Sequence, residues 1–141
     1  MVREAPRSRI LAAAAREGAE PFVRRCVGLL DRREFDASLI GILGGDGAAY
    51  VLGGGEGGPE GYWPRVWALR ALTYVWHDSA APAAVRACDD GSWRVREMAL
   101  RVLAAQRLPA GATAARRLTG DDVARVRARA EQVVHRLGAG H

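Results

Sequence analysis

The feature that most constrains the fold is a recurrence with a period of 31 residues in the C-terminal half of the chain. Residues 62–72, 93–103 and 124–134 align when each segment is shifted by this period, and the first two share the tripeptide Ala-Leu-Arg. Each segment is long enough for one helix. Because self-similarity at a constant spacing is typical of stacked repeats, the recurrence predicts a chain assembled from similar helical units.

The pattern of apolar residues inside one repeat indicates which face of its helix is buried. The middle repeat has an apolar stripe at helical spacing, and we expect its members to share one buried face: Val95, Met98, Ala99, Val102 and Leu103. Ala99 shares its column with Ala68 and Ala130, so we expect these small residues where neighbouring helices approach closely.

Shorter helices are predicted between the long ones, at residues 79–88 and 110–118, so short and long helices alternate. The N-terminal half is less regular, with helices expected at 5–18, 20–34, 36–43 and 47–52. Ten glycines fall between residues 41 and 61, which predicts a flexible loop there. We therefore expect one domain over residues 1–141, with diverged helices in 1–53, a glycine-rich loop in 54–61 and repeats in 62–138.

Two copies of a short motif resemble the second helix of HEAT repeats. Residues 90–99, DGSWRVREMA, and 121–130, DDVARVRARA, each begin with an Asp, continue with Val-Arg and reach an Ala three residues later. The first repeat departs from the pattern, with Pro59 and Pro64 in place of the Asp and the Val. The resemblance, which covers residues 62–137, implies an all-α, right-handed α-solenoid of stacked antiparallel helix pairs with no β-sheet.

HEAT repeats often carry a ladder of Arg–Asp contacts, and the resemblance implies one here. Its arginines would be Arg65, Arg96 and Arg127, with Asp90 and Asp121 as partners. The same aspartates precede the second and third long helices, where a carboxylate can accept hydrogen bonds from free backbone N–H groups.

Charge is distributed unevenly along the chain. All 21 basic residues are arginine; residues 1–61 have a net charge of −1 and residues 62–141 a net charge of +6. This asymmetry favours an acidic partner for the C-terminal half. No apolar run is long enough to span a membrane, and no leader pattern is visible, so we expect a cytoplasmic protein. Cys26 and Cys88 are interpreted as buried apolar residues in a reduced setting.

Residues that could support catalysis are not arranged for it. The glycine-rich stretch lacks the Gly-Lys-Ser/Thr ending of a phosphate loop. His77, His135 and His141 have no metal-ligand spacing, and no serine lies in a nucleophile elbow. Asp89 and Asp90 beside Cys88 would raise the pKa of its thiol rather than lower it. We therefore expect no enzyme activity, no cofactor and no metal site.

The expected binding surface is a strip of arginines and aromatic residues on the long helices. Arg70 and Arg101 share one repeat column and Arg94 and Arg125 another, while the matching flank of the first repeat has aromatic side chains. The candidate residues are Trp63, Trp67, Arg70, Tyr74, Arg94, Arg101 and Arg125. A merely solvated face with core aromatics is the alternative, and Trp67 in particular shares the apolar column of Met98.

These observations favour a non-enzymatic binding module or scaffold whose partner is a protein with an acidic surface or segment. Arginine and tryptophan are the residue types that dominate interface energies. The isoelectric point near 10.2 keeps nucleic-acid binding through the arginine strip as an alternative, although no known nucleic-acid motif is present. Some similar repeats are associated with bilin attachment by lyase subunits, but no residue here supports that chemistry.

Overall fold

The computed structural model describes residues 5–138 and contains, within that range, nine α-helices and no β-strand. The predicted all-helical fold class is therefore confirmed, as is the alternation of short and long helices in the C-terminal half. The helices are α1 (Pro6–Glu17), α2 (Ala19–Leu30), α3 (Ala37–Gly44), α4 (Ala48–Leu52), α5 (Tyr62–Tyr74), α6 (Ala81–Arg86), α7 (Trp93–Ala105), α8 (Gly111–Leu118) and α9 (Ala124–Gly138).

The helices form two compact units with the boundary between Ala80 and Ala81. The N-terminal unit contains α1 to α5. In it α2 packs on α5, and α3 packs on both α1 and α5. The apolar side chains that meet between these helices are fully buried, which supplies the main stabilisation of the unit: Ile10, Phe22, Val23, Leu39, Ile40, Leu43, Leu69 and Leu72.

Helix α2 ends at Leu30, four residues earlier than the sequence pattern predicts. Arg32 has a left-handed φ of +58°, and the N–H of Arg33 donates to the carbonyl of Gly28 at 3.0 Å. This is the hydrogen bond that closes a helix when a left-handed residue follows it. Because an arginine takes the place usually filled by glycine, the sequence carries no signal for this helix end.

The glycine-rich segment before α5 makes consecutive tight turns over Gly55–Glu60, with non-helical dihedrals at Glu56, Gly57 and Gly58. Glu56 anchors it, since its carboxylate accepts hydrogen bonds from the Tyr62 hydroxyl and the Trp63 indole at the start of α5. Glu56 and the glycines at 54, 57 and 58 have positive φ, a backbone conformation that explains the concentration of glycine here.

The C-terminal unit contains α6 to α9, and α9 packs against both α7 and α8. Four members of the predicted apolar stripe of α7 are fully buried: Val95, Ala99, Val102 and Leu103. Met98, the fifth, is half-buried. Ala130 on α9 is also fully buried, as expected for the small-residue column. The helical stripe predicted from spacing is thus confirmed.

Helix length and polarity also bear on the relation of this chain to membranes. Among residues 5–138, no helix combines the length and the apolar character needed to span a membrane.

Candidate functional site

A basic surface of the C-terminal unit is built from one face of α7 and one face of α9. On α9, residues 125, 129, 132 and 136 recur at the spacing of a single helix face, and on α7 residues 94, 97 and 101 do the same. We call this surface the basic groove and define it by these members: Trp93, Arg94, Glu97, Arg101, Arg125, Arg129, Gln132 and Arg136.

One end of the basic groove is formed around Trp93, the first residue of α7. The guanidinium carbon of Arg94 lies 4.6 Å from the centroid of the Trp93 ring, and that of Arg125 lies 5.8 Å from it. Both distances fall in the range of cation–π attraction. The indole therefore holds two arginines of different helices close together, although their charges repel.

The centre of the basic groove contains a single carboxylate. Glu97 Oε2 lies 2.8 Å from Nε of Arg101 on the same helix and 3.6 Å from Nε of Arg129 on α9. Its side chain is only 13% exposed, whereas that of Arg101 is 46% exposed. Glu97 thus links the two helices and partly neutralises the middle of the basic surface.

The other end is a shallow depression of about 190 Å³ with a small-residue floor. Ala104, Ala105 and Val133 supply apolar surface, and Arg101, Arg129 and Arg136 surround it together with Gln132. Gln132 accepts a hydrogen bond of 3.0 Å from Nη1 of Arg129. Since Ala104 and Ala105 have short side chains, the surface of α7 is low at this point of the groove.

A buried ion pair fixes the position of α7 relative to the segment that leads into α9. Arg96 donates to both carboxylate oxygens of Asp121, at 2.8 and 3.1 Å, and its Nη1 donates to the carbonyl of Asp90. Burial alone would raise the pKa of Asp121, but hydrogen bonds from Arg96 and from the N–H of Val123 outweigh it and hold the pKa below its usual value. This pair confirms one rung of the expected Arg–Asp ladder.

The carboxylates of this ladder do not cap their helices in the expected way. Asp90 accepts from the N–H of Ser92, and Asp121 from the N–H of Val123, in each case two residues further along the chain. Such local turns orient the chain before the helix begins. Arg127, one repeat further on, donates to the carbonyls of Asp121 and Asp122.

Arg70, expected on the same exposed column as Arg101, lies in a different environment. It is half-buried on α5 in the N-terminal unit, and its Nη2 donates at 2.5 Å to the carbonyl of Leu43 near the end of α3. Arg9 donates to the same carbonyl and to that of Ile42. Burial lowers the pKa of Arg70, and its Nε is buried without a hydrogen-bond partner among the described residues. Its expected surface position is therefore wrong, because the C-terminal end of α3 covers it.

The three aromatic candidates also lie on α5. Trp63 donates to Glu56 and stacks on Trp67 with ring centroids 6.1 Å apart. The Trp67 ring packs so closely on Gly44 that a Cβ there would overlap it, so it fills space inside the N-terminal unit. Tyr74 is 39% exposed. The packing of Trp67 matches the alternative that it is a core residue, while Tyr74 is on the surface.

Of the candidate residues, the structure brings Arg94, Arg101 and Arg125 to the basic groove and places Trp63, Trp67, Arg70 and Tyr74 in the other unit. Sequence reasoning missed five members of the groove: Trp93, Glu97, Arg129, Gln132 and Arg136. A signal for three of them was present in the spacing of residues 125, 129, 132 and 136. These residues have no equivalents of the same type at a shift of 31, so the alignment of repeats does not identify them.

Groups suited to metal binding or nucleophilic chemistry are not assembled in the described part of the chain. No cluster of three or more His, Cys, Asp or Glu side chains between residues 5 and 138 is arranged to hold a metal ion; His141 lies outside that range. Both cysteines are free and buried. Burial raises the pKa of the Cys26 thiol and that of the Cys88 thiol to about 12, so neither is a reactive thiolate at neutral pH.

Comparisons with known proteins identify the repeats. A family model described as HEAT repeats matches residues 62–134, slightly more than half of the chain. Neither the comparison with curated proteins nor the comparison with solved structures gave a match. HEAT repeats generally mediate protein interactions or act as scaffolds. With the Arg96–Asp121 pair and the buried alanine column in place, this chain belongs to the HEAT repeat family.

Proposed function

We propose that this chain is a protein-interaction module whose basic groove captures an acidic segment of a partner protein. The observation that carries the proposal is the composition of one surface, where five arginines of α7 and α9 surround a single carboxylate. Residues 81–141 contain 11 arginines and 6 acidic residues, so the surrounding field also attracts negative charge.

The chemistry of the groove fits carboxylates. A guanidinium group can donate two parallel hydrogen bonds to one carboxylate and does not lose its charge. Arg94 and Arg125 are held by the Trp93 ring, so less side-chain freedom is lost when a ligand binds them. Arginine and tryptophan are also the residue types that most often dominate binding energy.

The shape of the groove favours a segment of protein over a small molecule. Its depression, at about 190 Å³, is smaller than the roughly 300–1,000 Å³ of a typical small-ligand pocket. The arginines instead extend along both helices. A chain that lies between α7 and α9 would reach the aromatic end and the depression together.

The test compares two peptides of equal length, one rich in glutamate and one with glutamine at the same positions, by fluorescence anisotropy at about 0.15 M salt, where the Debye length is about 8 Å. The informative variant is Arg125→Ala with Arg136→Ala, since both side chains are exposed on α9 and alanine favours helix. We expect the glutamate peptide to bind the unaltered chain and the double variant to lose at least about tenfold in affinity.

The control removes the same charge elsewhere. Arg7 and Arg116 are exposed and lie on α1 and α8, so replacing both with Ala should leave peptide affinity within about twofold, since distant charges are screened by salt. If the glutamine peptide binds equally well, or if the control loses as much affinity as the groove variant, the proposal is wrong.

Nucleic-acid binding is the second candidate, favoured by the excess of arginine in the C-terminal unit. A mixed-sequence oligonucleotide titrated at several salt concentrations tests it, because phosphate binding falls steeply with salt. If the chain binds the oligonucleotide more tightly than the glutamate peptide, nucleic-acid binding becomes the favoured function.

A further inference from the structure

We infer that the depression towards the C-terminal ends of α7 and α9 binds a phosphate group carried by a phosphorylated serine or threonine of the partner segment. This inference rests on the proposed function and specifies one acidic group of the ligand. It depends on three arginines and one amide that line a single small depression, and on a carboxylate that contacts two of these arginines from outside the lining.

The side chains that line this depression supply positive charge and hydrogen-bond donors. Arg101 comes from α7, while Arg129, Gln132 and Arg136 recur every three or four residues along one face of α9. Among the residues that the structure describes, no acidic side chain contributes to the lining. Since the volume enclosed is only about 190 Å³, an anion that enters it borders all three arginines.

Gln132 directs one of these arginines towards another. Its Oε1 accepts a hydrogen bond of 3.0 Å from Nη1 of Arg129, which precedes it by one turn of α9, and Arg136 follows it by one turn. The Arg129 guanidinium therefore extends along α9 in the direction of Arg136. Because Arg129 occupies the amide oxygen of Gln132, the amide NH₂ group is the part that can donate to an anion in the depression.

Glu97 contacts two of the arginines without entering the depression. Its Oε2 lies 2.8 Å from Nε of Arg101 and 3.6 Å from Nε of Arg129, yet Glu97 is not one of the lining residues. Since each guanidinium group has five N–H donors, this contact orients both side chains and does not exhaust their capacity to donate. Less side-chain freedom is therefore lost when a ligand binds them.

Charge and donor number match a phosphate monoester better than a carboxylate. Three guanidinium charges opposed by the one carboxylate of Glu97 leave a surplus of two positive charges at this end of the groove. A phosphorylated serine carries about −1.5 to −2 charge at pH 7 and three strong acceptor oxygens, whereas a glutamate carries one charge on two oxygens. A phosphate can thus accept from arginines of both helices together, which is how arginine clusters recognise phosphorylated segments.

A phosphate in a nucleic acid backbone fits these donors less well. It is a diester with a single negative charge, and two of its four oxygens are bonded to sugars. Half of the surplus positive charge would remain unopposed, and fewer of the donors would find an acceptor. The depression therefore favours a monoester on a protein segment over a phosphodiester backbone.

The experiment measures the affinity of the full chain for three peptides of one acidic sequence by fluorescence anisotropy at about 0.15 M salt. At the central two positions the first peptide has phosphoserine and glycine, the second two glutamates, and the third serine and glycine. The first two have nearly equal charge, so general attraction to the basic groove is nearly equal for them. We expect the phosphoserine peptide to bind at least about fivefold more tightly than the glutamate-pair peptide, and more tightly than an oligothymidine.

The decisive variant is Arg136→Gln, because Arg136 is exposed in the last turn of α9 and glutamine is compatible with a helix. The ratio of the phosphoserine affinity to the glutamate-pair affinity should fall to about twofold or less. Arg125→Gln is the matched control, since it removes the same charge from the same helix at the aromatic end of the groove. It should weaken the binding of both peptides by similar factors and leave their ratio unchanged.

The outcomes separate this inference from the proposed function. If no peptide binds, the proposed function fails and the inference fails with it. If the glutamate-pair peptide binds and the phosphoserine peptide gains less than about fivefold over it, the acidic-segment function stands and the phosphate site is wrong.

Two further results would also overturn the phosphate site. One is an equal fall of the ratio in Arg125→Gln and Arg136→Gln, and the other is tighter binding of the oligothymidine than of the phosphoserine peptide. Should Arg136→Gln fail to fold by circular dichroism, the ratio measured on the unaltered chain still decides.

Discussion

The two units of this chain use arginine in different ways. In the N-terminal unit, Arg65 is 6% exposed and donates to the carbonyl of Gly61, while Arg9 and Arg70 donate to carbonyls at the end of α3. In the C-terminal unit, one ladder arginine, Arg96, is similarly occupied, but five others lie along the surface of α7 and α9. Both units therefore engage some arginines in internal hydrogen bonds, and the second unit also aligns five along one surface of two helices.

Arg70 and Arg101 show how this difference arises. Both follow an Ala-Leu pair and occupy the same repeat column. Arg70 meets carbonyls at the C-terminal end of α3, where a cation is favoured because those carbonyls lack helical partners. Arg101 meets Glu97 one turn earlier on its own helix and stays 46% exposed. A repeat column thus determines on which face of its helix a side chain lies. It does not determine whether another helix covers that face.

The largest effect is expected from Arg96→Ala in the C-terminal unit. Asp121 is 7% exposed on its side chain and would lose its charged partner, so the free energy of unfolding should fall by about 3 kcal/mol. Each unit contains one buried cysteine, Cys26 in the first and Cys88 in the second. A thiol reagent in mild denaturant should therefore label Cys88 faster in the variant and Cys26 at an unchanged rate. Equal acceleration at both would contradict an effect confined to one unit.

The same ion pair can be tested by pH. The pKa of Asp121 is lowered in the folded chain, so its stabilisation is complete above the unfolded pKa of about 3.9 and is lost as the pH falls through the lower folded value. Urea unfolding at pH 7 and at pH 3 should accordingly show a smaller loss of stability for Asp121→Asn than for the unaltered chain. If the variant and the unaltered chain lose the same stability between pH 7 and pH 3, Asp121 does not contribute to the acid sensitivity of the fold.

The next effect concerns a position where the two units should agree. Ala68 and Ala99 occupy one repeat column and are both fully buried, so replacing either with Leu overpacks a helix contact. We expect each change to reduce stability by roughly 1–3 kcal/mol, measured by urea unfolding. A variant with unchanged stability would show that its unit has free space at this column. The two units would then not pack alike at this position.

Arg70→Ala should have a moderate effect. It removes the hydrogen bond to the Leu43 carbonyl and the packing of a half-buried side chain, and the expected loss is about 1–2 kcal/mol. Because the Nε of Arg70 is itself buried without a described partner, the loss should stay below that of Arg96→Ala. Thermal unfolding of both variants in one buffer checks this order, and a reversed order would mean that Arg70 contributes more to stability than the Arg96–Asp121 pair does.

The smallest effect is expected from the matched change Arg101→Ala. Its partner Glu97 is on the same helix and keeps Arg129 at 3.6 Å, and helix pairs four residues apart contribute about 0.3–0.5 kcal/mol, so stability should change by no more than about 0.5 kcal/mol. The comparison of the two units predicts that Arg70→Ala costs more than Arg101→Ala. Equal costs in chemical denaturation would remove the distinction between them.

Much of the fold could be predicted from the residues, for reasons that are local. Val95, Ala99, Val102 and Leu103 identify the buried face of α7 because helical geometry places them on one side. Repeats at a shift of 31 then predict that the other long helices pack in the same way. The end of α2 at Leu30 could not be predicted, since Arg32 adopts a left-handed conformation without the glycine that usually signals it.

The candidate site was predicted in part. Arg94, Arg101 and Arg125 are surface residues of the C-terminal unit, and their columns could be found by aligning repeats. Glu97 and Arg129 occupy different repeat columns, so the alignment of repeats does not pair them. Their proximity depends on how α7 and α9 pack. The fate of Arg70 likewise depends on α3, which belongs to the irregular part of the chain.

The sequence by itself determined the helical class, the repeat spacing, the buried stripe and the excess of arginine in the C-terminal half. These properties follow from periodicity and composition, which a linear chain carries completely. The tertiary structure alone decided which arginines are satisfied internally and which remain on a surface with Trp93 and Glu97. The physical reason is that the environment of a charged side chain is set by the atoms packed around it, and α3 around Arg70 or α9 around Glu97 comes from residues distant in sequence.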